Sequence, residues 1–230
     1  MHAAATESNS TAPSTAPPAR ARGGRRRALF GAKVAVGVAA LLPAAHLGWR
    51  FLHDDLGANP IAEVLNRLGF WTLVILLASL AMTPLKLVTG WTWPIALRRL
   101  VGLLAFGYAC LHVATYVGVD QFFDFGEIGR DIVKRKFITV GMAAFLLLVP
   151  LAITSTARMT KRLGARRWKR LHRLVYVAAA AGVIHFIWRV KSDLRQPLLF
   201  AAILALLLAI RLVTFLAKRR LRPRPQSALG

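Results

Sequence analysis

Three histidines, His112, His172 and His185, lie inside long apolar runs of this 230-residue chain. An ionisable side chain in hydrocarbon costs on the order of 3 kcal/mol, so one found there marks a functional position by default. Imidazole is the commonest metal ligand among side chains, and a histidine pair on facing helices can hold a haem iron from both sides. These residue types point to a membrane electron carrier. Arg98-Arg99 and His172 each mark the start of an apolar run; His112 follows Arg98 by 14 residues and His185 follows His172 by 13. At about 1.5 Å per residue both intervals are roughly 20 Å, which puts His112 and His185 at one depth on parallel helices. Fourteen residues also bring Arg98 back to within about 40° of the His112 face. Arg98 could therefore meet a haem propionate, a flavin phosphate or the inner cofactor itself, and Arg98 or Arg99 lies at the level of His172. On a straight helix 13 residues leave His172 and His185 about 140° apart, so that span must bend if both serve one face.

Each histidine also has a plainer role open to it. His112 and His185 could be hydrogen-bonded glue between helices. His172, between Arg170 and Arg173, could simply be solvated at the membrane surface. His46 reads as structural, and His53 and His2 as solvent-exposed.

Hydrophobic residues make up 56% of the chain and the mean hydropathy is +0.51. They group into six runs near the bilayer-spanning length of about 20 residues: 28–49, 70–87, 100–118, 137–153, 171–188 and 197–217. Arg173 and Arg211 intrude near the ends of the last two, where their long stems can snorkel to the interface. The net charge of +23 is a topology signal rather than a nucleic-acid footprint. Of 32 Lys and Arg, 23 fall on the side of residue 1, whereas eight of nine acids fall on the other. The positive-inside rule then places both termini on the cytoplasmic side. Trp49, Trp71 and Trp188 form an outer aromatic belt, and Trp91, Trp93 and Trp168 an inner one. The expected fold is an all-α membrane protein, a six-transmembrane-helix bundle in one domain over residues 28–217. A disordered basic tail (1–27) precedes it and a basic cytoplasmic tail (218–230) follows it. Arg26-Arg27 before an apolar run faintly resembles a twin-arginine signal, but no clear cleavage site follows.

The single cysteine, Cys110, rules out an internal disulfide, a Cys-ligated iron–sulfur cluster and covalently attached haem. The segment Ser155–Arg170 carries seven cations and reads as a loop beside anionic lipid, or as a patch for an anionic cofactor or acidic donor. Pro84 and Pro150 predict bends, with Thr83 and Thr154 placed to satisfy freed carbonyls. The mixed-charge segment 120–136 is a solvated outer loop or a face for a periplasmic partner.

Several ordered motifs add a resemblance. They are Arg98-Arg99-Leu100-Val101-Gly102-Leu103 before Leu111-His112, then Thr154-Ser155-Thr156, Arg167-Trp168-Lys169-Arg170-Leu171-His172-Arg173-Leu174-Val175-Tyr176 and Ile184-His185-Phe186-Ile187-Trp188. With Asn59-Pro60 and Met82-Thr83-Pro84-Leu85, they resemble the MsrQ family over about residues 50–215. These are haem-binding membrane subunits of bacterial periplasmic methionine-sulfoxide reductase systems, within the ferric-reductase-like transmembrane superfamily. The resemblance implies b-type haem (one, or two) on His112, His172 and His185. It also implies FMN, and electrons from the quinone pool or a cytoplasmic flavin donor. They would pass to a periplasmic, molybdenum-containing subunit that reduces methionine sulfoxide. Two-haem relatives carry a histidine near the position of Arg98, so the inner ligand stays open here. Those relatives also append a flavin- and nucleotide-binding module; no G-x-G-x-x-G follows a strand pattern in this sequence, so an external donor and acceptor are expected.

One haem on His112 and His185 is thus the expectation, with His172 and Arg98 or Arg99 serving an inner haem, FMN or quinone. A haem near the outer face alone leaves much of a layer about 30 Å thick uncrossed, which calls for that inner carrier. A ferric or other metal reductase is the close alternative. A histidine-relay transporter would commonly need the intramembrane carboxylates that the six runs lack, and a metal hydrolase would need H-E-x-x-H.

Overall fold

Peptide groups in hydrocarbon must find their partners within their own segment, so apolar runs rich in Leu, Ala and Val close on themselves as helices. The computed structural model describes residues 19–220, and among these there is no strand. The helices are α1 (Ala19–Leu52), α2 (Pro60–Thr89), α3 (Trp93–Thr115), α4 (Phe125–Lys134), α5 (Lys136–Ile153), α6 (Ala157–Leu171), α7 (Leu174–Arg189) and α8 (Arg195–Arg220). A π-helical turn, Tyr116–Asp120, prolongs α3. Local chemistry sets several boundaries. The Asn59 side chain accepts from the Ala62 N–H at 3.1 Å ahead of Pro60, and Gly90, at φ 76°, ends α2 in the left-handed region. Asp124 and Thr156 cap α4 and α6 in the same way as Asn59.

Five helices (α1, α2, α3, α5 and α8) are long and apolar enough to cross a membrane. The fifth expected span, 171–188, is broken: α6 and α7 meet at 44° and pass as a span only together. The basic segment after Ser155 is therefore helix α6, not a loop, and it turns at Gly164, where φ is 73°. The 120–136 loop likewise contains α4, which buries Ile128 and Asp131 against α5. Helix α1 starts at Ala19, so residues 19–27 of the expected tail are helical. Residues 1–18 and 221–230 lie outside the described residues, and Lys218–Arg220 continue α8.

The core centres on α2, which packs on α1, α3, α7 and α8; the two most extensive pairings are α2 with α3 and α5 with α7. Proline inside a helix strands the carbonyl four residues earlier; a side chain takes up that carbonyl at Pro84, and near Pro43 and Pro150 side chains bond neighbouring backbone groups, Thr154 meeting the Pro150 carbonyl and not the freed Leu146 one. Beside Pro43 of α1, the Tyr108 hydroxyl of α3 donates to the Ala40 carbonyl at 2.6 Å and accepts from the Ala44 N–H at 3.1 Å, taking the place of one rung of the ladder. Pro84 frees the Leu80 carbonyl, and the partner is not the expected Thr83. Arg211 of α8 turns into the bundle, donates to that carbonyl at 2.5 Å and lies 4.9 Å above the Tyr176 ring. Snorkelling is excluded for Arg211 by this geometry, since its Nε and Nη1 are also buried. Near Pro150, Thr154 donates to the Pro150 carbonyl at 2.6 Å, and Trp168 Nε1 donates to the Thr154 carbonyl at 3.0 Å, fastening α6 to the end of α5.

The Arg211 contact predicts coupling with Pro84. Arg211→Met should lower the thermal stability of the detergent-solubilised protein less in a Pro84→Ala background, where the substituted residue supplies the missing N–H. A coupling of about 1 kcal/mol is expected from a double-mutant cycle, and strictly additive effects would refute the assignment.

Candidate functional site

His112 is set by α3 and His185 by α7, and the structure brings them together across the bundle. Their ring centres are 6.2 Å apart with planes at 80°. The matched depth expected from the spacing is therefore present. Each ring is held by the same small device on the helix beside it. His112 Nδ1 lies 3.0 Å from the Leu65 carbonyl of α2, and His185 Nδ1 lies 2.6 Å from the Phe137 carbonyl of α5. Only a protonated nitrogen can donate to a carbonyl, so Nδ1 carries the proton on both rings and Nε2 keeps its lone pair. Four residues beyond each carbonyl is a glycine against which the ring rests. A Cβ on Gly69 would lie 3.3 Å from His112 Cε1, and one on Gly141 would lie 2.6 Å from His185 Nδ1.

Between the rings runs a cleft walled by α2, α3, α5 and α7. Its inner part has about 670 Å³ of atom-free space, kept open by Gly69, Ala109, Gly141, Ala144, Ala178 and Gly182. An adjoining part of about 890 Å³ opens at the α4 end, where Asn66, Tyr116, Asp120, Arg135 and Arg189 add polar groups. With metal–nitrogen bonds of about 2 Å, imidazoles on opposite sides of one metal have ring centres roughly 6 Å apart. The pair therefore fits an iron whose remaining ligands come from a flat tetrapyrrole. Among the described residues no cluster of three or more His, Cys, Asp or Glu is arranged to hold a bare metal ion.

His172 is elsewhere, at the α6 end. It caps α6, and α7 begins only at Leu174, so the straight-helix angle of 140° does not apply. Its Nε2 is 3.1 Å from the Thr154 hydroxyl, and its ring stacks on Trp168 at 3.9 Å. The hydroxyl proton is committed to the Pro150 carbonyl, so Nε2 donates to the hydroxyl oxygen and the lone pair lies on Nδ1. His172 thus holds the opposite tautomer from the other two. Arg98, half-buried, reaches toward the Thr83 hydroxyl at 3.5 Å, while Arg99 is exposed. His53 stacks on Trp49 at the surface, and His46 is exposed.

Reading the sequence for titratable residues passed over Gly69, Gly141 and Arg189. The signal for the glycines was there: each is a glycine in an apolar helix near the histidine level, where Gly otherwise weakens a helix by about 1 kcal/mol.

The family model described as the ferric reductase like transmembrane component matches residues 68–183, which include His112 and His172. A protein-methionine-sulfoxide reductase heme-binding subunit MsrQ of Rhodospirillum rubrum is 60% identical over 188 residues, covering 82% of this chain and 90% of that protein. Its namesake in Herminiimonas arsenicoxydans is 52% identical over 184 residues, covering 79% and 84%. That of Xanthomonas campestris pv. campestris strain 8004 is 48% identical over 198 residues, covering 84% and 90%. Ordered motifs, helical architecture and these similarities agree: the chain belongs to the ferric reductase like transmembrane family, in its MsrQ branch.

Proposed function

We propose that the chain is a haem b electron-transfer subunit of the bacterial inner membrane. It would draw electrons from the quinone pool, directly or through FMN, or from a cytoplasmic flavin donor. It would deliver them to a periplasmic molybdenum-containing reductase that repairs methionine sulfoxide. The observation that carries the haem reading is the facing pair His112 and His185, with both Nδ1 atoms engaged and both Nε2 atoms free. The acceptor follows from the relatives, whose names couple haem binding to protein-methionine-sulfoxide reductase. That naming favours methionine-sulfoxide repair over a ferric reductase, which the family description alone would fit.

Bound haem supplies an iron that takes up and gives up one electron at a time. The chain's own residues prepare the site for it. The Leu65 and Phe137 carbonyls fix each imidazole's tautomer and rotation, and by accepting the Nδ1 proton they make Nε2 a better donor. Gly69 and Gly141 let each ring approach its helix closely. Leu73, Leu76, Ala144 and Leu148 keep water from the inner cleft, which limits the reorganisation that accompanies each charge change. His172, Trp168, Thr154 and Arg98 serve an inner carrier (a second haem, FMN or quinone), with Arg99 at the adjacent surface.

A dithionite-reduced minus oxidised spectrum of the purified protein, with haem quantified per chain, should show a b-type band at one or two haems. His112→Ala and His185→Ala should each remove the haem of the α4-end site, while His172→Ala should leave that haem in place. Full haem content and an unchanged spectrum in either of the first two variants would overturn the pairing.

The glycines give an independent check. Gly141→Ala should strengthen α5 intrinsically by about 1 kcal/mol and still lose most of its haem, because the new methyl displaces the His185 ring. Gly69→Ala, with its looser 3.3 Å contact, should retain most. Equal haem content in the two variants would show that ring placement is not set there.

A further inference from the structure

Arg189 ends α7 one turn beyond His185 and lines both parts of the cleft alongside His112 and His185. It makes no ion pair and no side-chain hydrogen bond with any described residue, whereas the other cation at this mouth is ion-paired and the mouth's own carboxylate, Asp120, is held by a neutral amide. Arg135 Nε lies 3.1 Å from the buried Asp131, whose other oxygen accepts from the Tyr116 hydroxyl at 3.3 Å. Asp120 accepts from the Gln121 amide at 2.8 Å. Asn66 is neutral, and away from this mouth the cleft wall is mostly apolar. One guanidinium, partly withdrawn from water, is thus left without a counter-charge at one end of a long apolar slot. A guanidinium offers parallel N–H donors that fit a carboxylate, and partial burial strengthens such a pair.

Resting on the haem reading above, we propose that Arg189 anchors a carboxylate of the tetrapyrrole. The macrocycle then enters with its propionate edge at the Arg189 mouth and its apolar edge toward Leu76 and Leu148, which line the deep end. Only this orientation pairs the carboxylates with a cation and leaves the alkyl edge among leucines; the reverse would bury two carboxylates where the cleft offers them no donor. Arg189 has a second consequence. Reduction of the iron adds negative charge close to its guanidinium, so Arg189 favours the reduced state and holds the midpoint potential up.

The test uses full-length apoprotein from cells unable to make haem, purified in detergent and titrated with haem b or with its dimethyl ester, whose carboxylates are masked. Wild type should prefer the free acid by about ten- to a hundred-fold, the range of a charge-assisted hydrogen bond. Arg189→Gln should bring that ratio close to one by weakening the free acid alone, and should lower the midpoint potential of the bound haem. Arg189→Lys, which keeps the charge, should recover most of the potential and part of the preference. Equal affinity of wild type for the two forms, or an undiminished preference in Arg189→Gln, would overturn the proposal while leaving the histidine pairing intact. Uptake of neither form by wild type would instead sink the haem reading on which it rests. The wild-type comparison decides the matter even if Arg189→Gln fails to fold.

Discussion

Hydrocarbon offers no partner to a peptide group, and every irregularity in this bundle is shaped by that rule. Proline interrupts three helices, at Pro43, Pro84 and Pro150, and close to each a side chain from a neighbouring turn or helix bonds the backbone, at Pro84 the very carbonyl that the proline frees. Tyr108 bridges α1, Arg211 reaches from α8 to α2, and Thr154 with Trp168 closes the end of α5. These contacts carry direction and register, which greasy side chains lack. Packing alone would let helices slide, because lipid is as apolar as leucine. A hydroxyl or guanidinium aimed at one carbonyl fixes where each helix stands along the bundle, and hence the height of the histidines. Tyr108 lies one turn before His112 on α3, so its contact with α1 sets the same helix that presents the ligand.

The histidine pair extends the same logic from repair to function. The Leu65 and Phe137 carbonyls lie within α2 and α5 and take the imidazole proton as an additional bond. The device is used twice, by the two most closely packed helix pairs, with a glycine four residues beyond the carbonyl in both. Such duplication makes the site nearly symmetric about the cleft. Each helix pair contributes one ring, one carbonyl and one glycine, so neither ring depends on the other for its placement. A ligand between them meets two preorganised nitrogens, which limits the entropy lost on binding.

Much of this was legible in the sequence, for identifiable reasons. Six apolar runs gave the helical membrane class, and a spacing of 14 against 13 residues gave the matched height of His112 and His185, because rise per residue in a helix hardly varies. What composition hides is the angle between segments. Helix α6 is so basic that it reads as a loop, its few apolar residues (Met159, Leu163, Trp168 and Leu171) being outnumbered by seven cations; its cap on Thr156 and the Trp168 anchor are contacts that hydropathy does not report. The bend at His172 escaped for the same reason, and with it the rotation that separates His172 from His185. Arg211 was read as snorkelling because a lone arginine in a span usually does. Only the three-dimensional neighbour, a proline-freed carbonyl 131 positions away, reveals that it turns inward. Gly69 and Gly141 were missed because glycine has no chemistry of its own to notice; its use here is absence.

The two histidine levels differ in a way that bears on how electrons would cross. At the α4 end both imidazoles present Nε2 into an open slot. At the α6 end His172 donates its Nε2–H to the Thr154 hydroxyl oxygen and stacks its ring face on Trp168. Metal ligation through Nε2 there would require breaking the Thr154 contact and stranding a hydroxyl oxygen, whereas Nδ1 is free of that demand. The α6-end level is therefore built differently from the α4-end level. Its neighbours are Trp168 and a half-buried Arg98, with no second histidine facing it as His185 faces His112. A cation beside an aromatic plane and an imidazole suits a flat redox ring with exocyclic oxygens, the ring stacking on the indole and the oxygens meeting the guanidinium, at least as well as it suits a second bis-imidazole iron. Within the proposed relay, a carrier gripped from both sides at the α4 end would stay put, whereas one at the α6 end would be held by contacts of a different kind, beside the basic helix α6.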